Sequence, residues 1–196
     1  MSLFNDSPLL NESPVVWTQA VLADFPRFLQ DHASCERKAA ALAMSFVTKY
    51  PDRPTVIEPM VCLAREELEH FHQVFKLMRK LNISLAASDE KDHYVNQMIS
   101  KLRHGRDERF LDRLILSGII EARGHERFHL LAQALQDEGL KSFYQQLADR
   151  EAGHYKIFYN LAKQYFSDSQ VDEAICRIAA FEAQAMISSP IQATLH

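Results

Sequence analysis

The chain has little that would interrupt or staple a fold. Only five of its 196 residues are glycine, and no segment is of low complexity. Together with long periodic apolar stretches, that favours an all-helical chain. Its three cysteines, Cys35, Cys62 and Cys176, are scattered and form no C-x-x-C pair. A disulfide framework is therefore not expected, and a reducing cytoplasm fits best. No stretch approaches the ~18 consecutive apolar residues of a spanning helix. Residues 1–11 hold Asp6 and no basic segment ahead of an apolar run, so no signal peptide is read there. An excess of positive charge is also missing. The net charge of −4 argues against a basic nucleic-acid binder overall, though a local patch could still do that work. What remains, 47% apolar and 24% charged, is ordinary for one globular domain.

Periodicity places the elements. Residues 1–12 read as an N-terminal arm. A short helix follows from Pro14 to about Ala23, with Val15, Val16, Ala20 and Val21 as its apolar side. Asp24 is an N-cap, with Pro26 in the first turn of a helix reaching about Tyr50. Its inner stripe is Phe25, Leu29, His32, Glu36, Ala39, Ala40, Ala43, Phe46 and Val47. Pro51 and Pro54 mark a turn. The second long helix, about Thr55 to Leu81, carries Met60, Ala64, Glu67, Phe71, Val74 and Met78. Residues 82–107 form a connection too long for a tight turn, with a short helix at about Asp92 to Arg103. A third long helix covers Glu108 to Gln136, with Leu111, Leu114, Gly118, Glu121, His125, Phe128 and Ala132 inward. A fourth is expected unbroken from Leu140 to Phe166, and a last helix from Ser169 to Ile187. Four long helices with a long second connection are what a ferritin-like four-helix bundle needs, here as a single domain over 1–196.

Chemistry concentrates on two of these helices. Glu67-Leu-Glu-His70 and Glu151-Ala-Gly-His154 each set a carboxylate and an imidazole on one face of one turn. A lone glutamate stands upstream of each, Glu36 and Glu121. The spacings nearly repeat: Glu36 to Glu67 is 31 residues and Glu121 to Glu151 is 30. Glu36 to Glu121 is 85 residues and His70 to His154 is 84. Burying a carboxylate in an apolar stripe is costly unless it is paired or binds metal. Buried salt bridges would be the bland explanation, but few Lys or Arg share the inner phases of these glutamates. Four carboxylates and two imidazoles suit two divalent first-row ions, with iron favoured. The competing Glu69-x-x-His72 falls among Arg65, Gln73 and Lys76 and should face water. Glu126-x-x-His129 projects from a neighbouring face and reads as coincidence.

Other residues carry two readings each. His32 and His125 are either hydrogen-bond partners of ligand carboxylates or satisfied core histidines. Cys35, beside Glu36, is packing. Gly118 marks either close helix packing or a cavity beside the metals. Lys101, Arg103, Arg106, Arg109 and Arg113, interleaved with Asp107, Glu108 and Asp112, form either a solvated face or a phosphate-contacting patch.

The segments Asp31-His-Ala-Ser-Cys-Glu36-Arg-Lys-Ala-Ala, Glu66-Glu-Leu-Glu-His70-Phe, Ile119-Ile-Glu-Ala-Arg-Gly-His-Glu-Arg-Phe128 and Glu151-x-x-His154 carry a resemblance. Over residues 15 to 185 the chain resembles the bacterial tRNA hydroxylases that act on 2-methylthio-N6-isopentenyladenosine. The resemblance implies a ferritin-like bundle with a non-haem diiron centre. It implies O2-dependent hydroxylation of the isopentenyl side chain on a modified adenosine in tRNA. It carries the ligands onto Glu36, Glu67, His70, Glu121, Glu151 and His154. Inserting oxygen into an unactivated C–H bond requires a redox metal. The chain has no flavin or iron–sulfur motif, so an external reductant, delivered by a separate electron-donor protein, is expected. The alternatives are a diiron hydroxylase of a prenylated quinone, which would need a membrane-facing surface, and a ferritin-like iron or peroxide oxidoreductase.

Overall fold

The computed structural model describes residues 7–89 and 91–196. Among them every regular element is a helix, and no helix is long and apolar enough to cross a membrane. The start of the expected arm, residues 1–6, lies outside the described residues. The chain divides into two compact units: residues 19–89 with Gln192–Leu195, and residues 7–18 and 91–191 with His196.

The first of these units is a helical hairpin, α2 (Phe25–Lys49) packed along α3 (Pro54–Lys80). Asp24 starts α2 as expected, its carboxylate accepting from the Arg27 N–H at 3.3 Å. Pro54 opens α3, where its missing N–H costs nothing. The buried residues of the two helices include Leu29, His32, Glu36, Ala40, Ala43 and Phe46 from α2, and Val56, Met60, Ala64, Glu67, His70, Val74 and Met78 from α3. Helix α1 (Val15–Ala23) differs from expectation in its facing. Trp17 and Val21 are buried while Val15 and Val16 are exposed. Trp17 turns inward because the Arg127 guanidinium lies over its ring, 4.9 Å from the centroid.

In the other unit α5 (Arg106–Ala134) is the centre, in contact with α6 (Glu138–Glu151), α7 (His154–Tyr165) and α8 (Asp168–Ser188). Helix α4 (His93–Ile99) packs on α8 and ends earlier than the pattern suggested. Because α8 covers a second side of α5, burial there is broader than one stripe and includes Asp112, Arg123, Glu126 and Arg127. The fourth long helix is not continuous. It breaks at Ala152–Gly153, so Glu151 ends α6 and His154 begins α7. Glycine is the weakest ordinary helix former, and Gly153 N-caps the second segment.

Gly118 resolves to packing. A Cβ there would come within 2.6 Å of Tyr159 Cε1 and 3.1 Å of the Tyr155 carbonyl oxygen. The space the missing side chain leaves is filled by the Tyr159 ring, not by a cavity. Arg103, in the basic stretch, donates to Asp112 at 2.7 Å, and Arg177 reaches the same buried carboxylate at 2.5 Å. Its guanidinium thus secures the start of α5 to α8.

A buried ionic cluster ties the chain start, α4, α5 and α8 together. Arg123 donates to Glu126 at 2.7 Å, to Glu182 at 2.9 Å and to the Asn11 carbonyl at 2.8 Å. Tyr94 donates to Glu182 at 2.7 Å, and the Ser13 hydroxyl to Glu126 at 2.7 Å. Burial opposes the charge on Arg123, but Glu126 and Glu182 outweigh it and hold its pKa above the ordinary value. Arg123→Met should cost about 3–5 kcal/mol in urea unfolding, since it strands two carboxylates in the core. Gly118→Ala should also destabilise, by about 1–2 kcal/mol net. The overpacking against Tyr159 exceeds the gain in helix propensity.

Candidate metal centre

Each unit holds one of the two anticipated triads. On the hairpin, Glu36, Glu67 and His70 are 4%, 2% and 3% exposed. They offer one donor atom each, all within 4.8 Å of one another. His70 Nδ1 lies 3.8 Å from Glu36 Oε2 and 3.6 Å from Glu67 Oε2. Those separations exceed a hydrogen bond. They match the roughly 3–4 Å between two ligand atoms that each sit about 2.1 Å from one first-row ion. His32 is fully buried and its Nε2 meets Glu36 Oε1 at 2.7 Å. Of its two readings, the contact with a carboxylate of the triad is what the structure shows. It fixes one Glu36 oxygen and leaves Oε2 turned toward His70. Cys35 Sγ lies 3.7 Å from Asp31 Oδ2. Glu69 and His72 are exposed, as helical phase required.

The second triad is Glu121, Glu151 and His154, again with donor atoms mutually within 4.8 Å. Glu151 and His154 are buried and Glu121 half-buried. His154 Nδ1 and Glu151 Oε2 are 2.5 Å apart. The two residues meet across the helix break rather than on a continuous turn. His125 has a main-chain partner. Its Nδ1 bonds the Ala148 carbonyl at 2.8 Å, which braces the last turn of α6 just ahead of Glu151.

The donor set suits a divalent cation. Two carboxylates and an imidazole in each triad supply hard oxygen and borderline nitrogen ligands, with up to two negative charges to neutralise. The Arg123 cluster had no place in the expected inventory. Its signal was present, as Arg123 and Glu126 stand three residues apart and Glu182 interrupts the apolar run Ile178 to Ala185. Glu67→Leu distinguishes a ligand from a structural ion pair. It should remove metal from its triad by elemental analysis. In chelator it should raise stability by about 1–3 kcal/mol, because a buried carboxylate becomes an apolar side chain.

Known proteins share this architecture. A solved structure titled "Protein 43 with aldehyde deformylating oxygenase activity", from Synechococcus, superposes with a TM-score of 0.90 at 32% identity, covering 96% of this chain and 94% of its own. The fold is accordingly all-α and ferritin-like. A tRNA 2-(methylsulfanyl)-N(6)-isopentenyladenosine(37) hydroxylase from Pseudomonas putida is 36% identical, with 92% of this chain and 86% of the relative aligned. The protein of the same name from Salmonella typhimurium is 28% identical, over 97% and 89%. The family model described as tRNA-(MS[2]IO[6]A)-hydroxylase (MiaE) matches residues 4–196. With that match spanning nearly the whole sequence, the chain belongs to the MiaE family of tRNA hydroxylases.

Proposed function

We propose that the protein hydroxylates the isopentenyl side chain of 2-methylthio-N6-isopentenyladenosine in tRNA, using O2 and two iron ions. The observation that carries this reading is the pair of matched buried triads in a chain of this family. Glu36, Glu67 and His70 would hold one ion, and Glu121, Glu151 and His154 the other, so that the whole chain works as a single diiron domain. Bound iron would supply the redox chemistry that activates O2 toward a C–H bond, which no side chain can do.

The chain's own residues have defined tasks. The four glutamates would neutralise the cations with their buried negative charge. His70 and His154 would tether the ions to α3 and α7. His32 holds Glu36 in one orientation, and the bond from His125 to Ala148 steadies the backbone that carries Glu151. Apolar side chains around the triads would exclude water from the ions and face a prenyl group. Electrons come from a separate donor protein, and a tRNA substrate places the reaction in the cytoplasm.

The test is direct. Iron-loaded protein is incubated with reductant, O2 and isopentenyl-modified tRNA, and the tRNA is digested to nucleosides for mass spectrometry. The modified nucleoside should gain the mass of one oxygen atom, and Glu151→Ala should abolish that gain. Fully loaded protein that leaves the nucleoside unchanged while oxidising a prenylated quinone would overturn the assignment.

A further inference from the structure

Outside the triads, the Arg123 cluster and the Asp112 pairs, few buried polar atoms among the described residues are left without a hydrogen-bond partner, and one belongs to Tyr159. The Tyr159 hydroxyl is buried and has no hydrogen-bond partner among the described residues. Desolvating a phenol without a partner costs free energy that a phenylalanine would not incur. The site does not need the hydroxyl for packing. The Tyr159 ring fills the gap over Gly118 and meets the Tyr155 ring edge-on, with centroids 5.8 Å apart, and a phenylalanine ring would make the same contacts.

Its position relates it to the second triad. Tyr159 lies five residues after His154 on α7, and Gly118 lies three residues before Glu121 on α5. A Tyr159 ring atom stands 2.6 Å from where a Gly118 Cβ would be, so the ring packs on the turn of α5 that leads into Glu121. Helical side chains also lean toward the N-terminus of their own helix, which for Tyr159 is the end that begins with His154. Burial, with Tyr155 beside it, pushes the phenol's pKa well above its ordinary value, so it remains a donor at neutral pH.

We propose that the Tyr159 hydroxyl is a ligand-binding donor, held for a hydrogen-bond acceptor that enters the centre with the substrate or binds at the ions as a small molecule. The proposal rests on the hydroxylase reading for the identity of the substrate, but the unused donor is independent of it. The variant to test is Tyr159→Phe, in full-length, metal-loaded protein. Its thermal midpoint should equal or exceed the wild type's, and its metal content should be unchanged. A fall of several degrees would mean that the hydroxyl has a partner within the fold, and would overturn the proposal. On modified tRNA, kcat/KM should fall about threefold to tenfold, the worth of one neutral hydrogen bond.

Two binding measurements separate the sources of the acceptor. Zinc-loaded variant that loses affinity for modified tRNA, and keeps it for unmodified tRNA, places the acceptor on the modified nucleoside. Iron-loaded variant that loses affinity for azide, read by absorbance, places it on a small ligand at the ions. Unchanged affinity in both overturns the proposal. A wild-type protein that turns over no tRNA would remove the hydroxylase reading alone, because the stability and azide measurements still decide the role of Tyr159.

Discussion

The structure depends on how acids can be kept inside a helical core. A carboxylate among apolar side chains must have its charge answered locally, and this chain answers it in two ways. Glu126 and Glu182 receive a guanidinium in direct contact, with Arg123 at hydrogen-bond distance from both. There each acid's charge is answered by a guanidinium of the chain itself. Glu36 and Glu67 instead face an imidazole nitrogen at 3.8 and 3.6 Å, a separation that leaves room for an ion between the donor atoms. The first arrangement joins the chain start, α4 and α8 to α5. The second sets two buried acids of the hairpin against one imidazole.

This contrast also explains the uneven burial of α5. On one side it carries Glu121 toward its triad, and on another it carries Arg123, Glu126 and Arg127 into contact with the chain start and α8. A helix doing both cannot keep a narrow apolar stripe. Its rigidity is therefore shared: the ionic cluster that fixes α5 also fixes the backbone from which Glu121 projects. In the hairpin the corresponding rigidity comes from close apolar packing, with small alanines between Glu36 and the end of α2.

Much of this was legible in the sequence, for identifiable reasons. Asp24, Pro54 and Pro51 announced the ends of α2 and α3, because capping and the missing proline N–H act locally. Helical phase separated buried Glu67 and His70 from exposed Glu69 and His72. Phase failed where a feature depends on a partner far along the chain. It placed Val15 and Val16 inward on α1, since nothing local announced that Arg127 would cover Trp17. It passed over Glu126, whose carboxylate is held by Ser13, 113 residues earlier, as well as by Arg123. Gly118 stayed ambiguous because only the Tyr159 ring, 41 residues away, decides what fills its space. Gly153 was visible as a weak helix former, yet the regular spacing of apolar residues on either side masked the interruption.

That interruption has an electrostatic consequence. Peptide dipoles in a helix sum to partial negative charge at the C-terminus and partial positive charge at the N-terminus. By ending α6 at Glu151 and starting α7 at His154, the chain brings two opposite helix poles together beside one triad. Carbonyl oxygens at the tail of α6 reinforce the Glu151 carboxylate, while amide hydrogens at the head of α7 sit behind the imidazole. The triad is therefore polarised along a line, and any positive charge placed there would be drawn toward Glu151. An uninterrupted helix carrying the same two side chains would have no such gradient.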